Sequence, residues 1–316
     1  HANIFNNVRC TDCHLDHRGK AALVLHDSSG CVTCHGNLKR KDASTKMANV
    51  HDFGTDHPSF HITLQDGKNV TRIRQDEKGK LIEKSRLKYS HQVHLDKKGV
   101  SSPLGRTVMT CGDCHQMDEA GTHFAPMTMQ KTCQQSRCHE LYFTEPVEGI
   151  APHGSEREAM NKVREFYTKW LIDSPARNMA GCAPAGGGSN AAKRTLACAH
   201  DLAQKYAAAT LFKKEGEDIE CGVCHEIEPT GDDLVPWKVA PLYITRDWQP
   251  GVEFAHSKHG TVNCTECHDK MNSKTSADIA MPTIEKCREC HVGNRSVKGK
   301  IKSSCDSCHR FHKGAK

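Results

Sequence analysis

The alternation of apolar and polar positions predicts two long helices in the middle of the chain. Ser155 and Glu158 have the spacing of an S-x-x-E capping box, and apolar residues follow at helical intervals until Pro175. They are Met160, Val163, Tyr167, Trp170 and Leu171. A second helix is predicted from Asn190 to about Lys214, with four residues directed towards a core, Leu196, Leu202, Tyr206 and Leu211.

Elsewhere the pattern predicts little regular structure. Residues 62–74 have the pattern of a small β-hairpin that turns at Asp66-Gly67. The Gly-rich stretch 186–190 has no strand before it and no G-K-[ST] after it, so we interpret it as a flexible connector between the helices. We therefore expect a mostly α and irregular fold with few strands and a helical insert.

Composition indicates that side chains alone do not organise this fold. Of 316 residues, 36% are hydrophobic and 5% aromatic, while the chain contains 18 Cys and 22 His. The net charge of +6 comes from scattered lysines without interleaved aromatics, so we expect no nucleic-acid partner. No apolar run approaches the roughly 18 residues of a membrane span. Because the chain also begins at His1, we expect a processed, soluble protein without a transmembrane segment.

Sixteen cysteines form eight pairs, each followed directly by a histidine. We number these groups in chain order: site 1 is Cys10, Cys13 and His14; site 2 is Cys31, Cys34 and His35; site 3 is Cys111, Cys114 and His115; site 4 is Cys133, Cys138 and His139; site 5 is Cys221, Cys224 and His225; site 6 is Cys264, Cys267 and His268; site 7 is Cys287, Cys290 and His291; and site 8 is Cys305, Cys308 and His309. Zinc ribbons explain C-x-x-C pairs, and disulfides explain even numbers of cysteines, but neither explains a histidine behind every pair. The pattern predicts eight covalently attached c-type haems, with both cysteines on the vinyl groups and the histidine on the iron.

Site 4 has the longer spacing C-x-x-x-x-C-H. The gap can bulge if both sulfurs still reach the vinyl groups, whereas the histidine must stay next to the second cysteine to reach the iron. Cys182 and Cys198 remain, and Ala199 separates Cys198 from His200. We favour a disulfide between these two cysteines, with a ninth haem and free thiols as the alternatives.

The sixth iron ligands must come from other histidines. The pattern aromatic-[Ser/Ala]-H-x-x-H occurs twice, and residues three apart share one face of a helical turn, so each histidine can reach a different haem. The predicted distal ligands are His17, His51, His57, His91, His94, His153, His256 and His259. His26, His61, His123 and His312 are reserves, and His1 and His200 are weaker candidates. Bis-His ligation throughout predicts closed, low-spin haems.

A weak internal repeat divides the chain. YSHQVH before site 3 matches FAHSKH before site 6, and PMTMQKTC matches MPTIEKC. We predict a four-haem module over residues 1–150, a haem-free helical connector over 151–214 and a second four-haem module over 215–316.

The H-x-x-H pairs and the mixed motif spacings resemble class III multihaem cytochromes c, and eight sites resemble the larger octahaem cytochromes of anaerobic and metal-respiring bacteria. The resemblance implies a haem-organised, exported protein of the periplasm or the cell exterior with low reduction potentials. Its implied partners are donor and acceptor cytochromes or a membrane quinol-oxidising complex.

Two functions follow from this interpretation. The first is electron transfer without a catalytic residue, with a filament-forming or homo-oligomeric cytochrome as a structural variant. The second is an octahaem reductase of a sulfur or nitrogen oxyanion, in which one haem is open. Every attachment site keeps its histidine, which favours the carrier over reductases that place lysine there.

Overall fold

The computed structural model describes residue 9 and residues 28–77, 79–143, 148–173, 189–211 and 221–310. Short helices and turns alternate with loops, and two long helices stand in the middle. The α-helices are α1 Ser29–His35, α2 Leu38–Lys41, α3 His91–His94, α4 Cys111–Cys114, α5 Glu156–Asp173, α6 Ser189–Leu211, α7 Cys221–Cys224, α8 Cys264–Cys267 and α9 Ile284–Arg288. Single π or 3-10 turns are Met129–Cys133, Gln135–Arg137, His256–His259 and Cys305–Ser307. The predicted fold class, mostly helical and irregular with few strands, is confirmed.

The strands form short antiparallel pairs, each of two neighbours in the chain. They are β1 His61–Asp66 with β2 Asn69–Arg74, β3 Val100–Ser102 with β4 Gly105–Thr107, β5 Tyr142–Phe143 with β6 Gly149–Ile150, and β7 Ile227–Pro229 with β8 Trp237–Val239. The β1–β2 hairpin confirms the predicted one. Its turn has Gly67 at φ +64°, which glycine adopts without steric cost.

Helices α5 and α6 form an antiparallel pair with its own hydrophobic core. The capping box is present, because the Ser155 hydroxyl accepts from the Glu158 N–H at 3.2 Å and the Glu158 carboxylate accepts from the Ser155 N–H at 2.8 Å. Side chains buried in this core are Phe143, Ala151, Ala159, Met160, Val163, Tyr167, Ala203, Ala207 and Leu211. The predicted inward positions are therefore largely confirmed.

One inward position is wrong. Leu196 is 46% exposed. It lies two helical turns, about 10 Å, before Ala203, which is the first side chain of α6 described as buried, so helical spacing gave the face of Leu196 but not its burial. Of Leu171 only the helical backbone is described, so its predicted packing lies outside the described side chains.

The segments before and after α5 and α6 are joined to each other by hydrogen bonds. The Thr63 N–H donates to the Trp248 carbonyl at 2.8 Å, and the Arg288 guanidinium donates to the carbonyls of Phe53 and His57. The division into modules 1–150, 151–214 and 215–316 stays a prediction. In the described part of the chain, no helix combines the length and the apolar character that crossing a membrane requires.

Candidate haem sites

The Cys-His groups of sites 3, 5, 6, 7 and 8 each close a single helical turn in the same way. The backbone N–H of the histidine donates to the carbonyl of the first cysteine, over 2.8–2.9 Å at sites 3, 5, 6, 7 and 8. The two cysteines of a C-x-x-C pair therefore lie on one face of the turn, and the histidine leaves it at a fixed angle. No residue of α4, α7 or α8 is buried by the polypeptide.

The second cysteines of the described sites are all reachable from solvent to some degree. Cys138 of site 4 and Cys290 of site 7 are exposed, and Cys34 of site 2 is half-buried. The second cysteines of the other described sites, which are Cys114, Cys224, Cys267 and Cys308, are half-buried as well. This exposure is consistent with attachment to a porphyrin edge, and the role of each cysteine stays a prediction.

Site 1 is the one predicted attachment group for which the structure gives no geometry. Its residues Cys10, Cys13 and His14 lie outside the described residues. The assignment of a haem to this site therefore rests on the C-x-x-C-H motif alone and stays a prediction.

Site 4 keeps the closing hydrogen bond in spite of its two additional residues. The His139 N–H donates to the Cys133 carbonyl at 3.2 Å, although six positions separate them. The extra length is taken up by a π turn that ends at Cys133 and by Arg137, whose φ of +61° lies in the left-handed region. Cys138 then directly precedes the histidine, as in the shorter motifs. The long gap therefore changes the loop between the cysteines and not the position of the histidine.

The two H-x-x-H segments have one geometry. Tyr89 stacks on His94 with ring centroids 4.5 Å apart at 23° and meets His91 edge-on at 4.9 Å. Phe254 stacks on His259 at 4.3 Å and 24° and meets His256 edge-on at 4.7 Å. The sequence repeat is thus also a structural repeat, in which one aromatic ring fixes both imidazoles.

The second histidine of each pair is also held through Nδ1. His94 Nδ1 lies 2.8 Å from the Ser90 carbonyl, and His259 Nδ1 lies 3.0 Å from the Ala255 carbonyl. A carbonyl can only accept, so Nδ1 carries the proton, and in the neutral imidazole the lone pair is then on Nε2. This is the tautomer that binds a metal through Nε2.

Four pairs of imidazoles in the described residues face each other at nearly equal distances. Each pair joins one Cys-His histidine to one predicted distal histidine. The centroid separations are 6.2 Å for His309 and His57, 6.0 Å for His139 and His94, 6.0 Å for His225 and His153, and 6.1 Å for His291 and His259.

The separation fits two imidazoles on opposite sides of one iron. A metal–imidazole bond is about 2.0 Å, and the nitrogen lies about 1.1 Å from the ring centre, so the centroids of two such ligands are about 6.2 Å apart. The residues present therefore fit a bis-His haem at sites 4, 5, 7 and 8, and the cysteine pair beside each histidine fits covalent attachment.

Residues 252–310, which contain sites 6, 7 and 8, match the family model of cytochrome c7 and related cytochrome c. The match supports a multihaem c-type cytochrome. It supports haem c as the cofactor and electron transfer as the role. No curated protein and no solved structure matches the chain.

The histidines of sites 6, 7 and 8, which lie in the matched region, are also held through Nδ1. At site 6, His268 Nδ1 lies 2.8 Å from the Ala280 carbonyl, and at site 8, His309 Nδ1 lies 3.2 Å from the Gly251 carbonyl. At site 7 the partner of His291 Nδ1 is a side chain, the Ser303 hydroxyl, at 2.6 Å. These hydrogen bonds orient the ring and would make it a better electron donor to a bound iron. Nothing in the sequence distinguishes Ser303 from other serines.

The first histidines of the two H-x-x-H pairs lie beside the histidines of sites 3 and 6. Burial, and then nearby positive groups that include Lys270 and His115, lower the pKa of His91 to about 4. Burial, and then His268 and His259, lower the pKa of His256. Both imidazoles are consequently neutral at pH 7, which is the form that binds iron. Each H-x-x-H segment thus has one histidine beside each of two sites.

His51 lies against site 2. A Cβ on Gly36, the residue after His35, would be 3.0 Å from His51 Nε2. The Nδ1 of His51 is 2.7 Å from the Asp56 carboxylate, which leaves Nε2 as the nitrogen that faces the site. This placement is compatible with the predicted role of His51 as a distal ligand.

The other predicted histidines have different surroundings. Among the reserves, His61 is in β1 and the side chain of His123 is 83% exposed. His200 is exposed and lies in α6, a helix that contains none of the attachment cysteines. The remaining candidates lie outside the described residues, and they are His1, His17, His26 and His312.

Cys198 differs from the attachment cysteines. It is disulfide-bonded, whereas the fourteen other cysteines of the described residues form no disulfide. Cys182, which the sequence predicts as its partner, lies outside the described residues. Those fourteen cysteines all belong to sites 2 to 8, and thioether attachment requires that their sulfurs are not joined to each other.

Proposed function

We propose that this protein is an exported electron carrier that holds eight c-type haems, each with two histidine ligands. The observation that carries the proposal is the set of four imidazole pairs at 6.0–6.2 Å, because each joins a Cys-His histidine to a distal histidine. A bound haem c supplies one-electron exchange between Fe(III) and Fe(II).

The chain's own residues keep each iron environment closed. Backbone carbonyls hold the rings of His57, His94, His259, His268 and His309, and Tyr89 and Phe254 stack on His94 and His259, so these imidazoles would stay in place in either oxidation state. The cysteines of sites 1 to 8 attach the haems. The proposed distal ligands are those predicted from the sequence, with His91 at site 3, His94 at site 4, His153 at site 5, His256 at site 6, His259 at site 7 and His57 at site 8. His51 is proposed for site 2. His17 lies three residues after His14 of site 1, too close to bind the same iron, so it is proposed for a neighbouring site.

The proposed setting is the periplasm or the cell exterior. Haem c is attached after export, and a disulfide at Cys198 is consistent with an oxidising compartment. The proposed partners are redox proteins, either donor and acceptor cytochromes or a membrane quinol-oxidising complex, in anaerobic respiration. Association of several copies is a further arrangement that the proposal allows.

The test is low-temperature EPR of the air-oxidised protein, with haem quantified in the same sample. We expect eight haems per chain and low-spin signals alone. His94→Ala removes one ligand and should convert one haem to high spin. His123→Ala, which changes an exposed histidine, is the matched control and should leave every signal low-spin.

A high-spin signal in the unmodified protein that shifts on addition of sulfite, nitrite or cyanide would contradict the carrier. An oxyanion reductase with one open haem would then be the better function. Concentration-dependent light scattering on the same sample distinguishes a filament-forming cytochrome from a monomeric carrier.

A further inference from the structure

Sites 3, 4 and 5 are arranged as sites 6, 7 and 8 are. In each group, the residue before the stacking aromatic ring donates its backbone N–H to the carbonyl of the second cysteine of the last site, which is site 5 in the first group and site 8 in the second. Lys88 donates to the Cys224 carbonyl at 2.7 Å, and Glu253 donates to the Cys308 carbonyl at 2.8 Å. One position earlier, each segment forms an isolated antiparallel bridge to the histidine of the same site, Leu87 to His225 and Val252 to His309.

The middle site is equivalent in both groups. At site 4, burial and then Cys114 and Cys224 raise the pKa of Cys133. At site 7, burial and then Cys308 and Cys267 raise the pKa of Cys287. In each group, therefore, the first cysteine of the middle site is close to the second cysteines of the other two sites. The H-x-x-H turn spans the first and middle sites in both groups.

The connections between sites differ in length between the two groups, but the contacts between equivalent sites are the same. Helices α5 and α6 are inserted between sites 4 and 5, whereas fewer than 20 residues separate sites 7 and 8. An insertion in a surface connection costs little free energy if its two ends stay in place. Residues 87–225 and 252–309 thus have the properties of two copies of one three-site unit.

The two units are joined by a reciprocal exchange of backbone hydrogen bonds. In the first unit, the Gln92 N–H donates to the Ser273 carbonyl of the second unit at 2.9 Å. In the second, the Ser257 N–H donates to the Gly121 carbonyl of the first at 3.0 Å. Gln92 and Ser257 both directly follow the first histidine of their H-x-x-H pair. This exchange of equivalent positions is the pattern of a two-fold interface.

The junction brings sites 3 and 6 together. The ring of Phe124 lies 6.1 Å from that of His115 and 4.8 Å from that of His256, both edge-on. Phe124 is therefore an aromatic contact between a ligand of one unit and a ligand of the other. Burial, and then the neighbouring Cys264, raise the pKa of Cys111, which shows that the first cysteines of the two sites are also neighbours.

Site 2 adjoins the far end of the second unit. The Cys305 N–H of site 8 donates to the Ser28 hydroxyl at 3.3 Å, at the start of the helix that contains site 2. A hydrogen bond with the Cys31 thiol lowers the pKa of Cys305. The first cysteines of sites 2 and 8 are thus in contact.

We infer that the seven attachment sites of the described residues lie in single file in the order 5, 4, 3, 6, 7, 8, 2, through two copies of a three-site unit that meet at sites 3 and 6. The inference rests on the proposed function, since it concerns the order of sites that hold haem. It differs from the order along the chain at two steps: site 6 adjoins site 3 and not site 5, and site 2 adjoins site 8 and not site 3.

The experiment is to locate the irons of the haem-loaded full chain by anomalous diffraction at the iron edge, with haems counted by mass spectrometry in the same sample. We expect the irons of sites 4 and 6 to be the nearest neighbours of the iron of site 3, and the iron of site 2 to be nearest to site 8. If the count is full but the iron of site 5 is the nearest neighbour of site 6, the inference is overturned. A low haem count contradicts the proposed function instead.

A pair of glycine variants tests the junction without haem spectroscopy. Gly121 has φ +66°, and a Cβ there would lie 2.4 Å from the Ser257 Cβ of the other unit. Gly231 has φ +75° and nothing within 4 Å of its Cβ position, so it provides the matched control. Both alanine variants carry the left-handed backbone cost. Gly121→Ala should lower the unfolding temperature further than Gly231→Ala does, and equal temperatures would overturn the junction.

Discussion

The Nδ1 hydrogen bond of His291 at site 7 is made with a side chain, so a point mutation can remove it. The carbonyls that hold His268 and His309 belong to the backbone, whereas the anchor at site 7 is the hydroxyl of Ser303, 2.6 Å from His291 Nδ1. Ser303 is 4% exposed, so water does not readily replace it. The perturbation is Ser303→Ala.

The expected result is a higher reduction potential at site 7. An Nδ1–H that donates to an acceptor makes the imidazole a stronger electron donor, and this stabilises Fe(III) over Fe(II). A buried hydrogen bond contributes a net free energy of about 0.5–1.5 kcal/mol. For a one-electron couple about 59 mV corresponds to about 1.4 kcal/mol, so loss of the bond raises the potential by about 20–60 mV at most.

The assay is a potentiometric titration followed by EPR, in which one low-spin signal of the set should shift. Ser273→Ala is the matched control, because Ser273 is 6% exposed and its hydroxyl donates to the Thr275 carbonyl and the Asp278 carboxylate at 3.0 Å. It loses comparable hydrogen bonds without touching an imidazole. If Ser303→Ala shifts no potential more than Ser273→Ala does, or lowers one, the assignment of Ser303 and His291 is wrong.

Three further predictions concern stability. Ser155→Ala removes the cap of α5 and should lower the free energy of unfolding by about 1 kcal/mol, measured by denaturant unfolding followed by circular dichroism. Tyr167→Ala, at a fully buried position, should cost about 3–5 kcal/mol in the same assay without changing the haem count. Burial, partly offset by Thr245 and Lys270, raises the pKa of Glu83. The stability that Glu83 contributes is therefore present below its ordinary pKa and is lost as pH rises through the raised value, so Glu83→Gln should stabilise the protein more at pH 7 than at pH 4.

Conservative variants make these outcomes specific. Ser155→Asp can still accept the N–H of Glu158 and should retain most of the stability. Tyr167→Phe keeps the packed volume, so a loss as large as that of the alanine variant would show that packing is not the cause. Glu119→Gln alters an exposed carboxylate, and a pH dependence equal to that of Glu83→Gln would refute the role of burial.

The sequence predicted those features that residues adjacent in the chain determine. Asp66-Gly67 predicted the turn of the β1–β2 hairpin, and Ser155 with Glu158 predicted the start of α5. The histidine that follows each cysteine pair needs no tertiary information, because one helical turn sets its direction. The exposed position of Leu196 shows the limit, since helical period gives the face of a residue but not the extent of its partner helix.

The sequence did not predict the contacts between segments that are far apart in the chain. Neither the Phe124 ring between His115 and His256 nor the Ser303 hydroxyl on His291 has a local pattern in the sequence. The repeat of YSHQVH and FAHSKH indicated two equivalent segments, but the boundary between equivalent groups of sites depends on bonds such as that from Lys88 to Cys224, more than 130 positions apart.

The side-chain core between α5 and α6 has a consequence for how the protein is made. Met160, Val163 and Tyr167 pack against Ala203 and Ala207 without contribution from any attachment cysteine. If the protein is exported as proposed, this helical pair would fold before haem is attached, whereas α4, α7 and α8, which bury none of their residues, would await the enzyme that joins porphyrin to thiol. Maturation would thus begin with α5 and α6 folded and with the segments on either side of them unfolded, so that the cysteines of those segments stay accessible to that enzyme.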